Sequence, residues 1–293
     1  MGSHHACGIT SAGVAYCWGS NEFGQLGDGS ITSSLAPQQV AGGSSFTRIS
    51  LGEWHSCGLT ADGSAYCWGR NFAGQLGDGS TTDRTAPTLV AGGLSFTAVT
   101  AKASHSCALT GLGAAYCWGG NVRGQLGDGS LLDRSAPTAV SGGLTFSVIS
   151  TGRETTCGVT VATAAYCWGE GGFGQIGDGT QIDRTAPTAV AGGLSFEGVS
   201  AGGDATCGWT TTGVGYCWGL NNDGQLGDGT ITRKLAPVAV LGDHTFNGID
   251  AGRLHALGWT TAGISIAWGF NGQGGLGDGT TTSRNTPVII TPP

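Results

Sequence analysis

The chain contains 293 residues, of which 58 are glycine and only 11% are charged, and its formal net charge is -7. Its twelve Lys and Arg residues are dispersed, which excludes the dense positive surface that drives nucleic-acid binding. No apolar run approaches the ~20 residues that span a bilayer, and no charged-then-apolar leader precedes the first repeat. We therefore expect no nucleic-acid partner, no membrane insertion, and an export signal that has already been removed.

One sequence pattern repeats every 50 residues, six times and without insertion or deletion. A period in this range is typical of a stacked or circular array of similar units. No linker or shift in composition interrupts the pattern, so we expect residues 1–293 to form one domain. One invariant column of the repeat is a tryptophan, found at Trp18, Trp68, Trp118, Trp168, Trp218 and Trp268.

Within one repeat, four short apolar runs alternate with turn residues, and none has a helical period. In the second repeat these predicted strands, A to D in chain order, cover residues 46–51, 55–60, 64–69 and 87–91. A glycine-rich segment at 71–80 predicts a structured loop between strands C and D. The pattern predicts an all-β, six-bladed β-propeller with about four short antiparallel strands per blade. Because the chain starts just before strand B, the first blade is predicted to lack its innermost strand or to have a shortened start.

Ten cysteines form five pairs with identical spacing. A hairpin about Asp62 would place Cys57 opposite Cys67, which predicts one disulfide per pair, each worth roughly 3 kcal/mol. Both members are absent from the sixth repeat, where Leu257 and Ala267 stand instead. Zinc is disfavoured because it requires closely spaced thiolates. Disulfides predict a secreted or periplasmic protein, and ten reduced cytosolic thiols are the alternative. The predicted pairs are Cys7 with Cys17, Cys57 with Cys67, Cys107 with Cys117, Cys157 with Cys167, and Cys207 with Cys217.

Other columns of the repeat indicate structural roles. The tryptophan column predicts packing between blades, and Trp209 and Trp259, which replace leucine on strand B, are predicted to lie in the core as well. The loop aspartate, Asp78 in the second repeat, predicts an Asx turn, because a single carboxylate supplies too few ligands for calcium. Neighbouring charged residues predict weak surface ion pairs, namely Asp83 with Arg84, Asp133 with Arg134, and Asp183 with Arg184.

Two segments of the repeat resemble a known family, the regulator of chromosome condensation repeat. Residues 68–77 read WGRNFAGQLG and match its WGxNxxGQLG hallmark, while residues 52–55 read GEWH and match its GxxH hallmark. The resemblance covers all six repeats and implies a propeller, usually of seven blades, used for partner binding in eukaryotic exchange factors and for light sensing in a plant photoreceptor. This chain differs in blade number, cysteines and acidity, so chromatin binding and nucleotide exchange are not carried over.

The short loop between strands A and B is both chemically rich and variable among the repeats. In propellers of the resembled family the first strand lies nearest the axis, so this loop is expected to open onto one face around the central channel. Its aromatic, apolar and cationic residues predict a binding scaffold for a protein, peptide, glycan or small-molecule ligand. The predicted binding residues are Trp54, Arg153, Arg253 and Leu254.

The same loops support an alternative function, a metal-dependent hydrolase of an ester or phosphoester. Four consecutive blades of a closed ring carry a histidine that could hold Zn²⁺ or another divalent ion, and three carboxylates are candidate general bases. No catalytic signature accompanies them, and each histidine has a simpler explanation as a motif residue that satisfies polar groups near the blade core. No cofactor is certain, and light or redox sensing is a third hypothesis. The histidines are His5, His55, His105 and His255, and the carboxylates are Glu53, Glu154 and Asp204.

Overall fold

The computed structural model describes residues 4–290, which form 23 β-strands and no helix. The strands assemble into six antiparallel sheets, the blades of a six-bladed β-propeller. Each blade runs in chain order from its inner strand A to its outer strand D, and the first blade has only strands B to D. The predicted fold and the three-stranded first blade are confirmed.

Strands of one type have closely matching bounds in all blades. Strand A is formed by β4 (Phe46–Leu51), β8 (Phe96–Lys102), β12 (Phe146–Thr151), β16 (Phe196–Ala201) and β20 (Phe246–Ala251). Strand B is formed by β1 (His5–Ile9), β5 (His55–Thr60), β9 (His105–Thr110), β13 (Thr155–Thr160), β17 (Ala205–Thr210) and β21 (His255–Thr260). Strand C is formed by β2 (Ala15–Gly19), β6 (Ala65–Gly69), β10 (Ala115–Gly119), β14 (Ala165–Gly169), β18 (Gly215–Gly219) and β22 (Ser265–Gly269). Strand D is formed by β3 (Ser34–Gln39), β7 (Arg84–Leu89), β11 (Arg134–Ala139), β15 (Arg184–Ala189), β19 (Lys234–Ala239) and β23 (Arg284–Ile289).

Strand D is the element whose predicted bounds are wrong. In the second blade, strands A and B cover the predicted residues, and strand C begins one residue late, at Ala65. Strand D begins at Arg84 instead of residue 87 and ends at Leu89. The cause is a β-bulge beside Gly69, which pairs with Arg84 and has a positive φ of 102°.

The invariant tryptophans join neighbouring blades. Trp118 is fully buried in a cluster that includes Leu76 and Phe96, and its indole nitrogen donates to the carbonyl of Gln75 at 3.0 Å. A Cβ at Gly77 would lie 2.7 Å from this nitrogen, so glycine is needed for the close approach. The same bond recurs at Trp68, Trp168, Trp218 and Trp268. The predicted packing role of the column is confirmed at these five junctions.

The junction between the sixth and first blades, which we call the seam, lacks these contacts within residues 4–290. Trp18 is only half-buried, and no indole lies within 4 Å of a Cβ built at Gly277, the sixth-blade counterpart of Gly77. Leu257 and Trp259 on strand B are 38% and 44% exposed, because the first blade brings no strand A to cover them. The prediction that Trp259 lies in the core is therefore wrong.

All five predicted disulfides are confirmed. Each joins directly opposed residues of strands B and C, such as Cys57 and Cys67 in the second blade. In the sixth blade the same register places Leu257 opposite Ala267. Five bridges suggest an extracellular or otherwise oxidising compartment. Within residues 4–290, the structure has no helix of the length and apolarity that crossing a membrane requires.

The aspartates of the C–D loop accept hydrogen bonds from other residues of the same loop and from the start of strand D. The predicted Asx turn is present, because Asp78 Oδ1 accepts the N–H of Ser80 at 2.9 Å. The predicted ion pairs between adjacent residues are wrong: Arg84 donates to Asp78 at 2.8 Å, while Asp83 accepts the N–H of Asn71 at 2.7 Å. The third and fourth blades repeat the arrangement, with Arg134 on Asp128 and Arg184 on Asp178.

Candidate functional site

Both long and short loops of each blade meet on one face of the propeller. Strand A leads into the A–B loop and strand C leads into the C–D loop, which are residues 52–54 and 70–83 in the second blade. The N–H of Arg70 donates to the carbonyl of Trp54 at 2.9 Å and joins the two loops. We call the surface formed by these loops the loop face. All predicted binding, metal and catalytic residues lie in the A–B loops or at the first residue of strand B.

The histidines that begin strand B tie neighbouring blades together. Those at positions 5, 55 and 105 are buried, and each Nε2 lies 2.8 to 2.9 Å from a hydroxyl of the next blade. For His5 the partner is Ser56, whose hydroxyl donates its single proton to the carbonyl of Gln25. Ser56 must therefore accept from His5, which fixes the imidazole proton on Nε2. The Nδ1 atoms of these three histidines have no partner within residues 4–290.

Burial holds these imidazoles neutral. Desolvation lowers the pKa of His5 to about 4 and the pKa values of His55 and His105 to about 3, with smaller contributions from neighbouring charges at His5 and His55. A Cβ at Gly52 would collide with the imidazole of His55, so the ring packs directly on the glycine backbone. These contacts agree with a structural role, in which each histidine satisfies polar groups between neighbouring blades.

The structure does not bring the four predicted metal ligands together. Three of the histidines bond to hydroxyls at three different blade junctions. The fourth, His255, is exposed at the seam, where Ala6 replaces the hydroxyl residue of the other repeats. Among residues 4–290, no group of three His, Cys, Asp or Glu side chains is arranged to hold a metal ion. These residues do not fit the predicted Zn²⁺ or other divalent ion.

Two of the three candidate general bases lie near arginines, and the third, Glu53, lies near His4. A fourth carboxylate, Glu170, was missed from the sequence, and burial followed by the charges of Glu154 and Asp204 raises its pKa. Apart from Glu53, these carboxylates form a charged sector with arginines on the loop face of the third to fifth blades, and no observed geometry favours the hydrolase alternative. The pairs are Glu53 with His4 at 3.8 Å, Glu154 with Arg123 at 3.6 Å, and Asp204 with Arg153 at 3.8 Å.

An aromatic cluster, formed by His4, Phe23, Trp54, Arg70 and Phe72, lies on the loop face of the first two blades. Trp54 stacks on His4 with ring centroids 3.8 Å apart and meets Phe23 edge-on at 5.5 Å. The Arg70 guanidinium lies 4.7 Å from the ring centroid of Phe23 and 4.4 Å from that of Phe72, which is 58% exposed. Only Trp54 was identified from the sequence. For Phe23 and Phe72, the available signal is the variable pair at residues 22–23 and 72–73 inside an otherwise regular loop.

A ring of hydroxyls from strand A lines the central channel. Each accepts the backbone N–H of a residue on the next strand A, at distances from 2.8 to 3.4 Å. The last member of the column is Asp250, which accepts the hydroxyl of Ser200 at 3.0 Å. This ladder sets the spacing of the five inner strands. The hydroxyl residues are Ser50, Thr100, Ser150 and Ser200.

Lys102 crosses this channel, and sequence reasoning missed it. Its Nζ donates to the carbonyls of Ala201 and Ala251, at 3.1 and 3.2 Å, on the fifth and sixth blades. Burial lowers the pKa of Lys102, and the charge of Asp250 opposes that effect. The available signal is a break in the repeat, because Lys102 stands in a column that is otherwise glycine, as at Gly52.

Lys102 is also shared by the linings of two cavities, one along the hydroxyl ring and one at the loop face. We call the second, of about 230 Å³, the mouth cavity. Glu53, Arg153 and Arg253, all predicted from the sequence, meet in this cavity. Trp54 lies in the aromatic cluster instead, and Leu254 belongs neither to that cluster nor to the lining of the mouth cavity. The mouth cavity is lined by Glu53, Lys102, Ala103, Arg153, Gly203 and Arg253.

Comparison with known proteins identifies the class of propeller. Residues 12–59, 62–109, 113–159, 164–209 and 213–259 match the regulator of chromosome condensation (RCC1) repeat, and residues 46–75 and 96–125 match a second form of the same repeat. Because these matches cover most of the sequence, the chain belongs to the RCC1-repeat family. The expected resemblance is confirmed, and the RCC1-repeat propeller fold suggests a protein-binding scaffold.

Solved structures share the fold. Human WBSCR16 is 22% identical over 100% of this chain and 80% of its own, with a TM-score of 0.90. Yeast RCC1 (Prp20), solved with Kap60 bound, is 19% identical over 100% of this chain and 74% of its own, with a TM-score of 0.87. The ectodomain of the Physcomitrella patens receptor kinase CR4 is 24% identical over 92% of this chain and 62% of its own, with a TM-score of 0.62. At these identities the likeness establishes the fold alone. No curated protein matches the chain in sequence.

Proposed function

We propose that this protein is an extracytoplasmic scaffold, secreted or periplasmic, that binds a protein or peptide through its loop face. The observation that carries the proposal is the aromatic cluster. Aromatic and arginine side chains dominate the binding energy of protein interfaces. Here Phe72 is 58% exposed and lies beside the guanidinium of Arg70, on the face where the repeats vary most.

The cluster is held in place before any partner arrives. Trp54 is fixed between His4 and Phe23, and Arg70 is fixed between two phenyl rings. A side chain that is already ordered loses little conformational entropy on binding, so more of its contact energy contributes to affinity. This arrangement favours a binding anchor over a chance exposure of apolar rings.

Relatives with the same fold bind proteins. Yeast RCC1 (Prp20) has been solved with Kap60 bound, and the structure of Prp20p from Saccharomyces cerevisiae was described together with its binding properties to Gsp1p and histones. With identities of 19% and 21%, these relatives support a polypeptide as the class of partner and do not supply its identity.

The disulfides support the extracytoplasmic part of the proposal. Each of the five bridges needs an oxidising environment to form and persist. Protein taken from its natural source under non-reducing conditions should gain about two hydrogens per bridge on reduction. Ten free thiols in that material would contradict the extracytoplasmic assignment.

Capture with matched variants tests the binding face. Immobilised wild-type protein, Phe72→Ala and Leu112→Ala are exposed to the secreted and periplasmic fractions of source cells, and the affinity of any captured polypeptide is then measured. Leu112 is the control because it is 89% exposed in a turn on the opposite face. We expect Phe72→Ala to weaken binding by about tenfold or more and Leu112→Ala to leave it unchanged. Equal affinity in both variants, or loss only in Leu112→Ala, would contradict the proposal.

A further inference from the structure

Three cations from different blades converge on the mouth cavity. Lys102 comes from the third blade, Arg153 from the fourth and Arg253 from the sixth. Glu53 and the small residues Gly203 and Ala103 line the rest of the wall. A Cβ at Gly203 would lie 3.1 Å from Cγ of Arg253, so the glycine allows the arginine stem to lie against the neighbouring loop.

These cations have unused hydrogen-bonding capacity. The Lys102 ammonium has three protons, and residues 4–290 accept only two of them, through the carbonyls of Ala201 and Ala251. Arg253 forms no hydrogen bond or ion pair with any side chain in the described range, although its guanidinium has five donors. Arg153 has only a distant carboxylate, Asp204 at 3.8 Å.

The wall of the cavity holds more cations than carboxylates, which favours an anion of low charge. It contains three cations and one carboxylate, Glu53, while Asp204 lies beside Arg153 and the charge of Asp250 acts on Lys102. A carboxylate, with a single negative charge, meets the least repulsion from these acidic groups. A doubly charged phosphate would be repelled by Glu53, which lies in the wall itself.

We infer that the mouth cavity binds a carboxylate group of a polypeptide, either an acidic side chain or a C-terminal carboxylate. Lys102, Arg153 and Arg253 donate to it in a cavity of about 230 Å³, where a charge-assisted bond is stronger than on open surface. The polypeptide as the source of the carboxylate rests on the proposed function, whereas the carboxylate site itself does not.

Titration of small probes tests the site without a known partner. The probes are N-acetylglutamate N-methylamide for a side-chain carboxylate, N-acetylglycylalanine for a C-terminal carboxylate, N-acetylglutamine N-methylamide as the neutral isostere, and inorganic phosphate. The readout is the change in the amide NMR signals of Ala103 and Gly203, both in the cavity wall. We expect at least one carboxylate probe to saturate these shifts and the neutral isostere to leave them unchanged. The stronger of the two carboxylate probes identifies the source.

Charge-matched variants assign the binding to the three cations. Arg253→Gln and Lys102→Met should each lower the affinity for the carboxylate probe by about tenfold. Arg48→Gln removes the same charge from an exposed position on β4, outside the mouth cavity, and should leave binding unchanged. Glu53→Gln should raise the affinity for phosphate relative to the carboxylate. Arg253→Gln lies in an exposed loop and stays interpretable if Lys102→Met fails to fold.

Three results would overturn the inference: equal shifts with the neutral isostere, tighter binding of phosphate than of carboxylate in the wild type, or unchanged affinity in Arg253→Gln. A failure of polypeptide capture together with normal probe titration would remove the proposed function and keep the carboxylate site. Normal capture of a polypeptide with no response to any carboxylate probe would remove the carboxylate site and keep the proposed function.

Discussion

The Nε2 atom of His55 lies 2.9 Å from the hydroxyl oxygen of Ser106 in the next blade. That hydroxyl donates onward to the carbonyl of Gln75 at 3.0 Å, so two hydrogen bonds join strand B and the C–D loop of the second blade through strand B of the third. Since the serine has one proton to give, the bond requires a proton on Nε2 of His55, and burial keeps the imidazole neutral. The same motif holds three successive junctions.

Stability should therefore fall in mild acid. The pKa values of His5, His55 and His105 are lowered from 6.5 to between about 3 and about 4. Between these values and 6.5, the histidines are protonated in the unfolded state but stay neutral in the folded state. The stabilising effect is complete above pH 6.5 and is lost progressively as the pH falls towards 3. Between pH 7 and pH 5 we expect each histidine to lower the free energy of unfolding by about 2 kcal/mol, measured by denaturant titration.

A single variant separates this effect from other titrating groups. His105→Gln should be less stable than wild type at pH 7, because a flexible amide replaces the buried ring that bonds to Thr156, but its stability should change less between pH 7 and pH 5. The pKa of Asp78 is lowered below 3.8, because burial opposes the ionised form but hydrogen bonds from Ser80 and Arg84 favour it. Protonation of such aspartates therefore affects stability only in stronger acid, below the range from pH 7 to pH 5. An unchanged pH dependence in His105→Gln would contradict the assignment.

A sixth disulfide should form in the sixth blade. Leu257 and Ala267 are opposed in the same register as Cys107 and Cys117, so Leu257→Cys together with Ala267→Cys should form a bridge. The loop-entropy estimate gives about 3 kcal/mol of added stability, lost on reduction. Intact mass before and after reduction counts the bridges, and denaturant titration measures the gain. Leu257→Cys alone is the control, and a double variant that keeps two free thiols would show that the sixth blade departs from the register.

Gly198 makes room for a large side chain on the neighbouring strand. It lies opposite Trp209, and a Cβ at this glycine would collide with the indole. Gly198→Val should therefore lower the free energy of unfolding by roughly 1 to 3 kcal/mol through overpacking. Ala98→Val is the matched control, because Ala98 occupies the same place opposite Leu109. Similar losses in both variants would mean that the indole moves aside at little cost.

Asn71 organises the C–D loop of the second blade. Its buried amide donates to the carbonyls of Ser80 and Thr82 at 3.1 Å, and its Oδ1 accepts the N–H of Leu76 at 2.9 Å. Asn71→Ala should lower the free energy of unfolding by about 3 kcal/mol, because these groups stay buried without a partner.

The fourth blade is a natural control for this role, because Gly171 replaces the asparagine. Hydrogen exchange should find the N–H of Ile176 less protected than that of Leu126, which still has Asn121 as its acceptor. Equal protection of the two amides would contradict the proposed role of the asparagine.

The repeating framework could be predicted from the sequence because its causes are local. Cys57 and Cys67 flank a short turn, so their opposition follows from hairpin geometry. Strand D could not be placed, because its start depends on a bulge at Gly69 that pairs it with Arg84. The partner of Arg84 was missed for the same reason, since the bulge turns its guanidinium back to Asp78 across the loop.

The candidate site was only partly predictable, because its residues are separated by whole blades. Glu53, Arg153 and Arg253 were identified as variable loop residues, and they do meet at the mouth cavity. The bonds of the three buried histidines could not be read from the sequence, because the hydroxyl partner of each is some 50 residues away, for example 51 between His55 and Ser106. Lys102 was overlooked because it interrupts a column that otherwise reads as structural glycine.

Lys102 links the inner strands of three blades through a single amine. Among residues 4–290 its two hydrogen bonds are the ones that pass over an adjacent blade, and they hold the fifth and sixth blades to the third. Within residues 4–290, the seam has no comparable side-chain contact between the sixth and first blades. An anion that drew the ammonium towards the loop face would compete with the carbonyls of Ala201 and Ala251. Lys102 lines both the channel cavity and the mouth cavity within residues 4–290, so a substitution at this position changes both at once.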